Sequence, residues 1–400
     1  MSEPLVIIGN GMAATKLCEE LGACGLGRYS VAVVGAEPGL AYNRVLLSDV
    51  LAGKLPATDL EMKPANWWAK QGVTLLYGTP AAAIDRESRA VVLADGRRLP
   101  FSRLVLATGS HPIRLPLPGA DLPGVTTFRD LADVSALLAA AKPGVRAVVI
   151  GGGLLGLEAA IGLAGAGVAT TLVHLMDRLM ERQLDATAAG LLRQAVEARG
   201  VTVRLQAHSA AIEGESHVTG LRLADGEVLP ADLVVMACGV RPNADLARAT
   251  GLTCNRGVVV DDHLATSDAA IFALGECAEH RGMAYGLVAP AYEQARVLAR
   301  HLAGKPAAYP GSVVSTNLKV SGVPVFSAGD ISGEGAQDIV LRDRVHGVYR
   351  RLFIRDGVLA GAVLFGDTAD GLYFLDLITN RTPIAPLRAA LAFGRPALAA

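Results

Sequence analysis

The sequence predicts an α/β protein with two parallel-sheet domains followed by a smaller C-terminal α+β domain. Three observations carry this prediction. The segment Val6-Ile7-Ile8-Gly9-Asn10-Gly11-Met12-Ala13-Ala14 joins an apolar strand to a helix through G-x-G-x-x-A, and Val148-Val149-Ile150-Gly151-Gly152-Gly153-Leu154-Leu155-Gly156-Leu157-Glu158 repeats the arrangement as G-x-G-x-x-G. Each copy is followed by a second apolar strand, an Asp-Gly turn and a buried-type strand ending in glycine. From Lys305 onward the pattern changes to strands and turns without a further glycine loop.

The elements follow in order. After the first loop and its helix comes Val31-Ala32-Val33-Val34, then the turn Asp95-Gly96, then Leu104-Val105-Leu106-Ala107-Thr108-Gly109. After the second come Ala169-Thr170-Thr171-Leu172-Val173, the turn Asp225-Gly226, and Leu233-Val234-Val235-Met236-Ala237-Cys238-Gly239. This is a duplication on the scale of a domain, not a short-period repeat. The proline-rich run 111–119 reads as the linker out of the first unit, and Arg241-Pro242-Asn243 as the return to it. The expected domains are therefore 1–111 with 241–304, then 112–240, then 305–400. In the last, Arg351 to Gly361 reads as a hairpin turning at Asp356-Gly357, and Arg351 and Arg355 share one strand face. That face is a candidate docking patch for an acidic partner, with a solvated strand face as the alternative.

Bare glycines between a strand and a helix let backbone amides and the helix N-terminus approach a pyrophosphate. The candidate contacts are Gly9, Gly11, Met12, Ala13 and Ala14 in the first loop, and Gly151, Gly153, Leu154, Leu155 and Gly156 in the second. Two such loops imply two dinucleotides, and the economical pair is a bound flavin with a visiting nicotinamide. Glu37, just beyond the first unit's second strand, is placed to accept hydrogen bonds from an adenosine ribose; a solvated strand end is the alternative. At the corresponding end of the second unit stands His174, where an acid would favour NAD. His174 and Arg178 are candidates for tolerating or binding a 2′-phosphate, or are ordinary loop residues.

Composition excludes several classes. The 400 residues allow roughly two or three domains, and 51% hydrophobic against 19% charged residues suits a compact α/β enzyme. A net charge of −1 offers no general attraction to nucleic acid. No apolar run reaches the ~20 residues of a membrane helix. The first strand begins too early for a signal peptide to precede it, so a soluble, cytoplasmic protein is expected. The cysteines, Cys18, Cys24, Cys238, Cys254 and Cys277, contain no C-x-x-C and suit neither a disulfide framework nor a zinc or iron–sulfur site. The segment Ala41-Tyr42-Asn43-Arg44-Val45-Leu46-Leu47-Ser48 has no cysteine, and Cys18 and Cys24 are read as packing residues.

With these motifs in place, residues 4–300 resemble the two-dinucleotide pyridine nucleotide:flavin oxidoreductases. The resemblance rests on both glycine loops, Glu37, Ala107-Thr108-Gly109, and the run Thr266 to Glu276 ending Ala273-Leu274-Gly275-Glu276. A closer similarity, over nearly the whole chain, is to the flavoprotein section of assimilatory nitrite reductase large subunits and to reductases that serve assimilatory nitrate reductase. It is carried by Tyr42-Asn43-Arg44-Val45-Leu46-Leu47-Ser48, Val173-His174-Leu175-Met176, Met180-Glu181-Arg182-Gln183-Leu184-Asp185, Ala284 to Pro290, and Thr316-Asn317-Leu318-Lys319-Val320-Ser321-Gly322.

The resemblance implies two Rossmann-like, glutathione-reductase-like domains binding FAD and NAD(P)H, with NADH favoured. It implies that Asn43, Arg44 and Ser48 approach FAD, and that Ala107, Thr108, Gly109 and Gly275 border it. Glu276 would hold a ribityl hydroxyl where the family usually has aspartate. Leu287, Val288 and Ala289 would contact the flavin pyrimidine through their backbone. Gly239 would be a further cofactor contact, and Glu158 would orient or gate the nicotinamide beside the flavin. The implied acceptor is an iron–sulfur protein or a nitrate or nitrite reductase component. Nitrite reduction by this segment alone is not expected, since it lacks the cysteines for an iron–sulfur cluster and siroheme. A rubredoxin or ferredoxin reductase, an NADH oxidase, and a redox-sensing protein that binds FAD and NADH without turnover remain open alternatives.

Overall fold

The computed structural model describes residues 2–320 and 322–395. Two compact units result, one of residues 1–47, 55–111 and 240–312, the other of 48–54, 112–239 and 313–400. In the first, five parallel strands lie in the order Ile271–Ala273, Arg103–Leu106, Glu3–Ile8, Tyr29–Val34, Val73–Leu76. In the second, the parallel order is Val201–Arg204, Ala169–Val173, Arg146–Ile150, Leu233–Met236, Val125–Thr127. The glycine-loop strand is central in each sheet. Its side chains are buried on both faces, as Leu5, Val6, Ile7, Val148 and Val149 show, which is why these strands read as unbroken apolar runs.

The duplication extends to single hydrogen bonds. Gly9 N donates to Val34 O at 2.7 Å, and Gly151 N donates to Val173 O at 2.9 Å. In the first Asp-Gly hairpin Leu93 N donates to Arg97 O at 2.9 Å; in the second Leu223 N donates to Glu227 O at 2.8 Å. At the turn of the C-terminal hairpin, Asp356 and Gly357 both have positive φ, the backbone that a two-residue turn between twisted strands demands.

Residues 313–395 fall within the second unit, whereas the sequence reading sets 305–400 apart. They form an antiparallel sheet in the order Ser315–Val320, Val323–Gly329, Val358–Phe365, Val348–Arg355, Gln337–Asp343. Helix Gly371–Thr379 covers it, packing Phe374, Leu377 and Ile378 with Leu352, Ile354 and Leu364. Of the motif Thr316 to Gly322, Ser321 lies outside the described residues. On the strand that was expected to offer basic side chains, Arg350 is buried between Asp367 and Asp370. Arg351 pairs with Asp185 and Asp338, and Arg355 with Asp330. These carboxylates neutralise the strand's arginines, so it is not a free basic docking stripe.

Asp185 provides a polar link between residues 112–239 and this sheet. Its side chain, 7% exposed, caps helix Ala186–Glu197 by accepting from Ala188 N at 2.8 Å. It also accepts from the Tyr349 hydroxyl at 2.6 Å and from Arg351 at 3.2 Å. Asp185→Ala removes a cap and a shared acceptor of Tyr349 and Arg351, with Arg351 keeping Asp338, and is expected to lower unfolding stability by about 2 kcal/mol. Urea melts will check this; a loss below about 1 kcal/mol would contradict the assignment.

The five cysteines are all free. Cys18 and Cys277 are fully buried; burial pushes the Cys18 thiol up to about 12 and Cys238 up to about 11. Since the thiolate is the reactive form, Cys18, Cys238 and Cys277 are expected to resist a thiol reagent in the native protein and to react at once in denaturant. A rapid native reaction of Cys18 would contradict the packing role. Among the described residues no helix is long and apolar enough to cross a membrane.

Candidate functional site

In the first unit, the residues singled out in the sequence meet at the C-terminal ends of the parallel strands. A Cβ on Gly9, which has φ +120°, would lie 2.1 Å from Ala107 O, so strand and loop approach too closely for any side chain. Gly11 differs: a Cβ there would meet nothing within 4 Å. It precedes helix Met12–Cys24, which has no side-chain cap and no acid in its first turn. The amides of Met12, Ala13 and Ala14 therefore face an open cradle without an intrahelical acceptor, and this donor set fits a pyrophosphate. In the same loop Asn10 Oδ1 is buried without a hydrogen-bond partner.

Around this cradle, Gly275 has positive φ, and a Cβ on it would lie 3.1 Å from the Ala13 methyl. Gly275 N donates to the buried Gln294 Oε1 at 2.7 Å, and Thr108 Oγ1 donates to Asn243 O at 2.7 Å. The Ser110 hydroxyl donates to Glu276 at 2.9 Å, and Gly109 borders the same carboxylate. Leu287 precedes helix Val288–Leu302, likewise uncapped and free of acid in its first turn, so Val288 and Ala289 present backbone amides. Glu37 accepts from the Tyr42 hydroxyl at 2.7 Å and pairs with Arg44, which lies over the Tyr42 ring. Asn43 caps the turn that carries Arg44 by accepting from Val45 N at 3.1 Å.

The second unit repeats the cradle. A Cβ on Gly151, φ +121°, would lie 2.3 Å from Ala237 O, and one on Gly156 would lie 1.9 Å from Gly151 O, whereas Gly153 has open space. Helix Leu154–Gly165 is uncapped and carries no first-turn acid, so Gly153, Leu154 and Leu155 offer the same kind of anion site. Gly239, φ +106°, ends the segment after the neighbouring strand. One turn into the helix, burial pushes the Glu158 carboxyl up to about 7 and the Asp49 charge adds to the rise, while a hydrogen bond from Ser48 and the charge of Lys54 oppose it. Ser48, singled out as a flavin neighbour, thus belongs to the second unit and touches Glu158.

His174 accepts from Gly152 N through Nδ1 at 3.0 Å, so its proton is on Nε2, which donates to Glu181 Oε2 at 3.1 Å. Arg178 pairs with Asp177 and donates to Glu181 O. Sequence reasoning passed over Asn10, Ser110, Asn243 and Gln294, whose partners are distant in the chain. Glu181 was quoted only as part of a resemblance; its seven-residue spacing from His174 gives no local signal for the pairing.

Residues 3–295 match the pyridine nucleotide-disulphide oxidoreductase family, and residues 315–382 match the rubredoxin NAD+ reductase C-terminal domain. Among curated proteins, the chain is 46% identical to a nitrite reductase [NAD(P)H] of Bacillus subtilis (strain 168), covering 95% of this chain and 48% of that protein. It is 42% identical to an assimilatory nitrate reductase electron transfer subunit of the same organism, covering 95% and 50%. The chain thus spans about half the length of these relatives. Among solved structures, it superposes on the reductase in a covalent putidaredoxin reductase–putidaredoxin complex with TM-score 0.89 and 29% identity, over 96% of this chain and 94% of that one.

Proposed function

Because the chain belongs to the pyridine nucleotide-disulphide oxidoreductase family, we propose that it is an FAD-dependent NAD(P)H oxidoreductase that delivers electrons to a protein acceptor in nitrate or nitrite assimilation. One observation carries this reading: a single chain holds two glycine cradles of the same build, each closed to a side chain at Gly9 or Gly151 and open at Gly11 or Gly153. The first cradle is assigned to FAD, since Ser110–Glu276 and the uncapped helix at Leu287 supply further polar contacts there. The second is assigned to the nicotinamide nucleotide, with Gly239 and Glu158 bordering it. A flavin, when bound, accepts hydride from a reduced nicotinamide and can release electrons singly.

The chain's own residues bind and orient. Met12 to Ala14 and Leu154 to Leu155 hold the pyrophosphates, and Glu37, freed in part from Arg44, accepts from a ribose. The mostly buried Glu158, near half protonated at neutral pH, orients the nicotinamide amide. The segment 41–48 carries no cysteine, so electrons leave by a route other than a protein disulfide there, which supports a separate acceptor protein. The similarity to an electron transfer subunit and to a reductase seen with its redox partner supports the same step. An iron–sulfur or rubredoxin-like acceptor is the second reading, favoured by the C-terminal domain match. Cytoplasmic placement belongs to this reading because reduced nicotinamide is supplied there.

The test is anaerobic stopped-flow absorbance with NADH and NADPH, followed by reoxidation with air or with candidate iron–sulfur proteins. Fast bleaching, slow air reoxidation and fast reoxidation by a protein are expected. Absence of bound flavin, or no bleaching by either nucleotide, overturns the proposal; rapid reoxidation by air alone points to an oxidase. Bleaching without sustained turnover on any acceptor points to a redox-sensing role.

A further inference from the structure

The two cradles differ at one place that bears on which nicotinamide nucleotide is used. Val34 O and Val173 O accept from the equivalent glycines Gly9 and Gly151, so His174, which the sequence pattern set opposite Glu37, corresponds to Gly35, and Glu37 corresponds to Met176. Sizes are exchanged across the pair. In the first unit Asn10 fills the space where a Cβ on Gly35 would lie, 2.6 Å from Asn10 Cβ; in the second, His174 fills the space where a Cβ on Gly152 would lie, 2.6 Å from its Cγ. His174 is thereby built into the loop, and the carboxylate that Glu37 supplies in the first unit has no counterpart at the exposed Met176.

The nearest replacement is Glu181. His174 spends Nδ1 on Gly152 N and its single ring proton on Glu181 Oε2, and Met180 N donates to Gly152 O at 3.0 Å, so Glu181 is fixed against the glycine loop from two sides. With Arg178, Arg182 and Asp185 it also lines a cleft of about 690 Å3 within the second unit, bounded on its other side by residues 329–332. Of the neighbouring cations, Arg178 is paired with Asp177. Arg182 is 83% exposed and reaches Glu181 only at 3.9 Å. We propose that Glu181, oriented by His174, accepts the 2′-hydroxyl of the adenosine ribose in place of the acid missing at Met176, and so selects NADH over NADPH. This rests on the reading of the second cradle as the nicotinamide site. The selection is electrostatic: a carboxylate welcomes a hydroxyl donor and repels a 2′-phosphate. Glu181 is the specificity residue and His174 a positioning residue.

The experiment measures anaerobic flavin reduction by NADH and by NADPH in the full chain carrying its flavin, for wild type, Glu181→Gln, His174→Ala and the double variant Glu181→Gln/Met176→Glu. Wild type is expected to favour NADH. Glu181→Gln is expected to lower the NADH-to-NADPH ratio of the second-order flavin-reduction rate constants by about tenfold or more, the scale of one lost charge-assisted hydrogen bond, through a weaker Kd for NADH and with the limiting reduction rate and flavin content unchanged. His174→Ala is expected to move the ratio in the same direction, whereas a purely structural role would weaken both nucleotides alike. Restoring a carboxylate at position 176 is expected to recover the NADH preference. A wild type that prefers NADPH, or a ratio unmoved in Glu181→Gln, overturns the inference while leaving the proposed function standing. A flavin that neither nucleotide reduces overturns both.

Discussion

Gly11→Ala is expected to yield a folded protein that has lost its flavin, and Gly153→Ala one that keeps its flavin but binds the reduced nicotinamide poorly. Both positions have backbone angles open to any residue, φ −118° at Gly11 and −82° at Gly153, and neither added Cβ meets another atom within 4 Å. The apoproteins should therefore melt like wild type. What the new methyl group occupies is the approach to an uncapped helix N-terminus, where amides must come within hydrogen-bond distance of a phosphate. Losing even one such charge-assisted bond costs about 10- to 100-fold in affinity. Gly9→Ala and Gly156→Ala behave differently, because their Cβ atoms would overlap Ala107 O at 2.1 Å and Gly151 O at 1.9 Å; those proteins are expected to misfold. Flavin absorbance of the purified variants and the KM for NADH separate the two loops. A Gly11→Ala protein that purifies with full flavin would remove the first loop from the flavin site.

Glu158→Gln is expected to melt several degrees above wild type near pH 8 and to melt almost with it near pH 5. Burial, reinforced by Asp49, raises the folded-state value from 4.5 to about 7. The folded protein then binds the proton more tightly than the unfolded chain, so wild-type stability falls as pH rises from about 4.5 to about 7. At about 1.4 kcal/mol per pH unit, the loss is about 3 kcal/mol and is complete above that window. Glutamine stands in for the neutral carboxyl and does not titrate, so it escapes the loss. Thermal melts of both proteins across this range decide the matter: parallel curves would mean that Glu158 is not buried as described. If the carboxyl also orients the nicotinamide, Glu158→Gln should retain much of the rate, since an amide can fill the same hydrogen-bonding position.

Much of this protein was legible because its signals are local. The glycine loops, the Asp-Gly turns and the apolar strands each depend on backbone freedom or side-chain alternation within about ten residues, and the repeat of the whole series identified two α/β units and their two glycine loops. Contacts between distant residues were not readable in that way. Nothing near Ser48 shows that it reaches Glu158, and the basic pattern of Arg351 and Arg355 does not reveal the aspartates that neutralise them. The C-terminal residues read as a domain of their own because their strand pattern changes, and nothing in that pattern shows that Asp185 accepts from Tyr349 and Arg351 of its sheet.

The sequence by itself determined the class of fold, the duplication and the two glycine loops proposed to hold a dinucleotide's phosphates, since these follow from residues that are neighbours in the chain. Only the tertiary structure decided which charges are spent internally and which remain for a ligand: His174 on Gly152 and Glu181, Arg44 on Glu37, Arg351 on Asp185. The physical reason is that an electrostatic or hydrogen-bonding partner is set by distance in space, and folding brings together residues whose separation along the chain carries no trace of the meeting.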